Sequence, residues 1–567
     1  MDRRPGPAND AARPGPGDDW WRDGVIYQIY PRSFADSNGD GVGDLDGIIA
    51  HLDDLNDGTP ASLGVDAIWL SPIYPSPDFD FGYDVSDFTG VDPRYGDLDG
   101  FARLVDECHR RGIRVILDLV LNHSSHLHPW FQASRSSRSG PYADWYVWAD
   151  AGGRGPDRRR RPPNNWRSFF GGSAWTWDEA RGQFYLHTFL PEQPELNWRS
   201  PEVRAAMLQV VRTWLERGVD GFRLDVFNVI FKDARLRSNP PRVGRRGLWS
   251  WQRHLYDRDQ PELVEMLGEL RGLVDERPGR MTVGELFDGT IAQAAELTAP
   301  RHLVFDFALL ATPWSGAAFR DTIACSEQAF GPDRWPTLVF SNHDQSRHAS
   351  RIDDRRTGDA RAKVAAALLL TLRGSPFLYY GEEIALRNVA IPNARAADPP
   401  ARRASLLFPW WNRDQARTPM PWTGEPTGGF TTGRPWLPLG SDAATRNVAT
   451  QGADPRSVLS FYRRLIWLRR ATPALRRGSL TLLRQTDEDA LGYLRQADGQ
   501  TALVLLAFAA RRTNVPLPAA PSGRPWRVAL STHRDTGASL EGHSVYLEPN
   551  EALILLADEA PAASVPR

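Results

Sequence analysis

The chain has little cysteine, no long apolar run and almost no net charge, and each shortage removes a class of protein. Two cysteines, Cys108 and Cys325, in 567 residues exclude a disulfide framework and fit a reducing compartment. No stretch approaches the roughly 20 apolar residues of a membrane span. Residues 1–19 are rich in Pro, Gly and Asp and lack the apolar core of a signal peptide, so they read as a disordered lead-in to a cytoplasmic protein. A formal charge of -2 argues against nucleic acid or an anionic membrane as the main partner. The basic run Arg158 to Arg161 therefore reads as a solvated loop. No phosphate-cradling glycine fingerprint follows the first strand-like segment, which argues against a doubly wound open sheet.

What the chain does have is tryptophan, 21 residues of it, suited to stacking on flat faces such as sugar rings or to filling a large core. It also repeats one pattern of helix, glycine, buried strand and polar tip. Val25 to Tyr30, Gly64 to Pro72, Arg114 to Val120, Gly221 to Val226, Met281 to Glu285, Leu303 to Phe305, Thr337 to Asp344 and Pro376 to Glu383 give eight such strands. The count predicts an α/β fold, a closed (β/α)8 TIM barrel over residues 20–122 and 192–479, with functional residues at the C-terminal strand ends. A helix is expected from Phe101 to a glycine cap at Gly112. Residues 123–191 break the alternation and read as a small domain inserted after the third strand. Short β runs over 480–557 predict a C-terminal all-β sandwich domain, followed by a loose tail at 558–567.

Within the fourth strand, Gly221, Arg223 and Asp225 share one face and Phe222, Leu224 and Val226 the other. Charged groups on a buried face are hard to explain as packing. Upstream, Asp36, Asn38, Asp40, Val42 and Asp44 place oxygen donors at alternate positions, like the first part of an EF-hand loop, but Gly47 stands where that loop has its glutamate. Two readings stay open: a structural Ca2+ or Mg2+ held by these residues, or an Asx-rich turn capping a helix near Leu45.

The strand tips Asp118 to His123, Gly221 to Asp225, Val283 to Glu285 and Ser341 to Asp344 resemble, in order, the sequence regions of the alpha-amylase family of glycoside hydrolases. Gln193 to Asn197, and Ala416 to Met420 with Trp422, are similar to its oligo-1,6-glucosidase and alpha-glucosidase branch, with two departures: Glu195 where Asp is usual and Pro421 where Gln is usual. The resemblance implies Asp225 as nucleophile, Glu285 as general acid/base and Asp344 as the carboxylate that stabilises the oxocarbenium-like state. Neighbouring anions are expected to raise Glu285, and Arg223 to keep Asp225 ionised. It further implies that His123, His343 and Asp84 hold sugar hydroxyls, and that Arg417 pairs with Asp84 to close an exo-acting pocket; Tyr83 either stacks on the sugar face or is a core aromatic. Asp118 and Asn122 either fix the local backbone or touch substrate. Val226 leans the specificity towards α-1,6 bonds.

The resulting expectation is a retaining α-glucosidase on short gluco-oligosaccharides, monomer or homodimer, with no cofactor for catalysis. Trehalose-synthase-like or sucrose-isomerase-like transfer would use the same carboxylates. A transporter-associated homologue would need a membrane anchor, and a binding protein without turnover would not need Asp225, Glu285 and Asp344 together.

Overall fold

The computed structural model describes residues 19–557 except 154–159, 244–248, 300, 354–358, 404–411, 485–486 and 522–524. The expected lead-in, apart from Asp19, and the tail at 558–567 lie outside the described residues, as do Arg158 and Arg159.

Eight parallel strands form the central sheet: β1 (Ile26–Ile29), β2 (Ala67–Leu70), β3 (Arg114–Val120), β4 (Gly221–Asp225), β5 (Met281–Gly284), β6 (Leu303–Val304), β7 (Thr337–Val339) and β8 (Ser375–Tyr379). They pair in sequence order from β1 to β6, and β8 pairs with both β1 and β7. Side chains alternate across each strand. Ile26, Trp69, Ile116, Val283 and Phe377 fill the interior, while Tyr27, Ile68, Val115 and Leu224 pack outward against the helices. The β6–β7 seam lacks a strand ladder and is bridged by Thr337, whose hydroxyl donates to the Val304 carbonyl (2.9 Å) and accepts from the Asp306 amide (3.0 Å).

The helix before β3 spans Leu98–Arg110, beginning ahead of the expected Phe101 because the Asp97 carboxylate caps the Gly100 amide. Phe101, Leu104, Val105 and Cys108 form its buried stripe, and Gly112 turns the chain at φ +69°. Between β3 and β4 stands a three-stranded antiparallel sheet of Trp148–Ala149, Gln183–Leu186 and Trp175–Asp178, cored by Trp166, Trp175 and Phe184. After the barrel comes a six-stranded antiparallel sheet with a two-stranded sheet against it. Its strand Gln500–Ala507 is buried on both faces: Leu503 and Leu505 meet the two-stranded layer, and Ala502, Val504 and Leu506 join the core shared with the barrel.

Candidate active site

Strand β4 turns Arg223 and Asp225 into the barrel. Register places Arg223 beside Asp118 of β3, and its guanidinium lies 5.2 Å from the Trp69 ring. Nη1 donates to Asp118 and to Asp225, each at 2.7 Å, and Nη2 donates to Glu285, the residue that follows β5. Three buried carboxylates facing one guanidinium cannot all ionise, so this cluster retains a proton. Burial pushes Glu285 up, and Asp344 pushes it further, against the pull of Arg223. Asp118 rises to about 6 through burial.

Asp225 differs from the sequence expectation. Its pairing with Arg223 is present, yet burial, joined by repulsion from Glu285, Asp118 and Asp344, outweighs that pairing and raises the carboxyl well above its ordinary range. The guanidinium is divided among three acids and cannot hold each of them low. Asp344 goes the other way. Burial opposes its charge, but Arg417 at 2.7 Å and Arg413 at 3.2 Å hold its carboxyl well below the usual range.

Asp84 and Arg417, expected to pair, do not bond to one another. Asp84 is fully buried and faces its own loop, accepting from the amides of Phe79 (3.0 Å) and Asp80 (2.9 Å) and from the Ser76 hydroxyl (2.8 Å); burial lifts it to about 7. Arg417 donates to Asp344 through Nη2 and to the His343 carbonyl through Nε. The acid that reaches the cavity is Asp80, and its partner is Arg413 at 2.7 Å, which also binds Asp398 and Asp344. Both assignments fell four residues C-terminal of the side chain that lines the cavity. The sequence held the signal, since Asp80 lies in the loop that carries Tyr83 and Arg413 lies in the stretch that carries Arg417. It is the folding of those loops that decides which acid and which arginine face inward.

These groups surround a cavity of about 470 Å³. Asp225, Glu285, Asp344, Tyr83 and His123 line it, together with Gln193, Asp80 and Arg413. Phe169, Phe170 and Phe189 from the inserted domain, with Val226, Trp249 and Phe287, make an apolar collar that sequence reasoning missed apart from Val226. Tyr83 is held by its hydroxyl, which donates to Asp118 (3.0 Å) and meets Nε2 of His343 (2.6 Å). His343 is fully buried, lies stacked with Tyr83 and reaches Gln28 at 2.8 Å through Nδ1; it is absent from the cavity lining. Burial lowers both His123 and His343 to about 3, so each is a neutral hydrogen-bonding ring at neutral pH. Val226 adopts φ +32°, a left-handed conformation costly for a β-branched residue, and this bend ends β4 and delivers Val226 to the cavity.

At the Asp36 loop, the Asp36 carboxylate accepts from the amides of Asn38, Gly39 and Gly41, Asn38 accepts from Asp40, and Asp40 accepts from Val42. Asp44 caps the helix Leu45–Ala50 through the Gly47 amide. This is the Asx-rich, helix-capping arrangement, and no group of three His, Cys, Asp or Glu side chains able to hold a metal is found among the described residues. No helix among the described residues is long and apolar enough to cross a membrane.

The sequence profile of the alpha-amylase catalytic domain matches residues 28–478. The chain belongs to the alpha-amylase family. Within that family of glycoside hydrolases it is 45% identical over 523 residues to a protein named "Probable alpha-glucosidase" from Rhizobium meliloti (strain 1021), covering 89% of this chain and 92% of the relative. It is 36% identical to an oligo-1,6-glucosidase of Parageobacillus thermoglucosidasius, over 94% of this chain and 98% of that one. Its fold superimposes on the crystal structure of the alpha-glucosyl transfer enzyme XgtA with a TM-score of 0.87 and 43% identity, over 96% of this chain and 100% of that one. As in the alpha-amylase fold at large, the chemistry-bearing side chains here stand at the C-terminal rim of the barrel.

Proposed function

We propose that the protein is an exo-acting, retaining α-glucosidase that releases terminal glucose from short gluco-oligosaccharides, with α-1,6 bonds favoured. The observation that carries this reading is the meeting of Asp225 and Glu285 on one guanidinium, in the wall of a cavity also lined by the Asp80–Arg413 pair. Retaining enzymes hold their two carboxyls about 5 Å apart, whereas inverting ones leave about 6.5–9.5 Å for a water. A shared guanidinium supports the closer arrangement.

In this mechanism a bound sugar separates the two acids. Glu285 keeps the cluster's proton and gives it to the leaving oxygen, while Asp225, released as a carboxylate beside Arg223, attacks the anomeric carbon. Asp344, held ionised by Arg413 and Arg417, faces the positive charge that develops on the ring. Water, deprotonated by Glu285, then frees the glucose from Asp225.

The experiment is a comparison of glucose release from isomaltose, maltose, sucrose and trehalose, with products resolved by chromatography. Isomaltose is expected to be cleaved fastest, and no glucose from any of the four would end the reading. The apolar collar supports a second reading. A wall that disfavours water would hold a released sugar as acceptor, so transfer or isomerisation products would appear in the same chromatogram. A hard cation, Ca2+ or Mg2+, at the Asp36 loop belongs to the proposal in a structural capacity alone, supported by donors that are all oxygen. A melting temperature unmoved by a chelator would assign the loop to its Asx turns.

A further inference from the structure

Glu195 and Lys232 form an ion pair that the chemistry above does not use. Their charged atoms are 2.5 Å apart and both side chains are buried, 1% and 3% exposed. A buried pair of this kind gains little stability, because desolvation offsets the attraction. Its cost calls for another explanation, and its partners offer one. Glu195 closes the inserted domain, where it bridges to His123, and its second oxygen accepts from the Thr188 amide at 2.6 Å. Thr188 in turn accepts from the Phe169 amide through its carbonyl at 2.7 Å and precedes Phe189. Lys232 lies on the loop after β4. It donates to the Val229 carbonyl and reaches Asn122 at 3.4 Å. Val229 closes the turn that starts at Val226, donating its amide to the Val226 carbonyl at 3.1 Å.

Phe189, Val226 and Val229 make one apolar cluster, and two of them line the cavity. Two chain segments far apart in sequence thus supply opposite halves of one wall. The ion pair is a direct link between them, and buried on both sides. We propose that the Glu195–Lys232 pair is a positioning staple that sets Phe189 against Val226, and through them the fit of the sugar beyond the cleaved bond. It therefore tunes linkage preference without touching substrate. Lys232 also presses on His123, adding to burial in keeping that ring neutral. The proposal rests on the α-glucosidase reading.

The test is the ratio of kcat/KM for isomaltose to that for maltose. A ratio is insensitive to the fraction of folded enzyme, which a purely structural loss would change. In the double variant Glu195→Gln with Lys232→Met, charge goes while volume stays, and the ratio is expected to move by about fivefold or more. Lys232→Arg keeps the charge on a longer planar head, and it is expected to move the ratio as well; it decides the matter if the double variant does not fold. A ratio unchanged in the folded variants, with only the melting temperature lowered, would overturn the staple. A wild-type enzyme that cleaves neither disaccharide would overturn the glucosidase reading and this proposal with it.

Discussion

Arg223 holds Asp118, Asp225 and Glu285 at once, so substitutions at these acids have unequal consequences. Asp225→Asn preserves shape and removes the nucleophilic oxygen. We expect kcat on isomaltose to fall by at least about three orders of magnitude with an unchanged melting curve, measured by initial rates and calorimetry. Near-normal turnover would place the nucleophile elsewhere. Asp80→Asn weakens the pair with Arg413 and the charged contact it offers a sugar hydroxyl, so KM should rise by about tenfold while kcat changes less. Asp84 gives the contrast, since its oxygens are spent on its own loop. The inward aim of Asp225 and Glu285 was legible because Asp225 ends β4 and Glu285 follows β5, so a period of two fixes where they point. Asp80 and Arg413 were not legible, because they sit on a turn and on the short 3-10 helix Arg413–Ala416, where no strand period says which of two nearby acids or arginines turns inward.

Among the elements, the barrel strands could be read from sequence because burial on both faces makes them continuous apolar runs, punctuated by glycine and polar tips. The aromatic collar could not. Phe169, Phe170 and Phe189 look like core residues of the inserted domain until that domain is laid over the barrel mouth. The β6–β7 seam is also invisible in sequence, since Thr337 reads as one more strand residue. Thr337→Val keeps the volume but removes both hydrogen bonds and strands the Asp306 amide. We expect a loss of about 1–3 kcal/mol of stability in denaturant titration, and a neutral result would mean the seam does not depend on this hydroxyl.

Taken as one molecule, the enzyme carries two adjacent acids, Glu382 and Glu383, buried behind β8. Burial first, with the charge of Glu383 adding to it, lifts Glu382 to about 8, while burial lifts Glu383 to about 7 against the pull of Tyr27 and Arg347. Folding therefore favours their protonated forms. That stability is complete below the unfolded carboxyl range and is lost as pH rises through about 7 and about 8. The melting temperature should fall as pH rises from mildly acidic to about 8, and Glu382→Gln should flatten the fall. A wild-type profile flat across that range would contradict the burial argument.

If Asp225 is the nucleophile and Glu285 its acid, the anomer first released reports on that chemistry directly. Proton NMR during the first minutes of isomaltose hydrolysis resolves α- from β-glucose before mutarotation mixes them. Retention through a glycosyl-Asp225 intermediate predicts α-glucose first; β-glucose first would mean direct attack by water and would contradict the account.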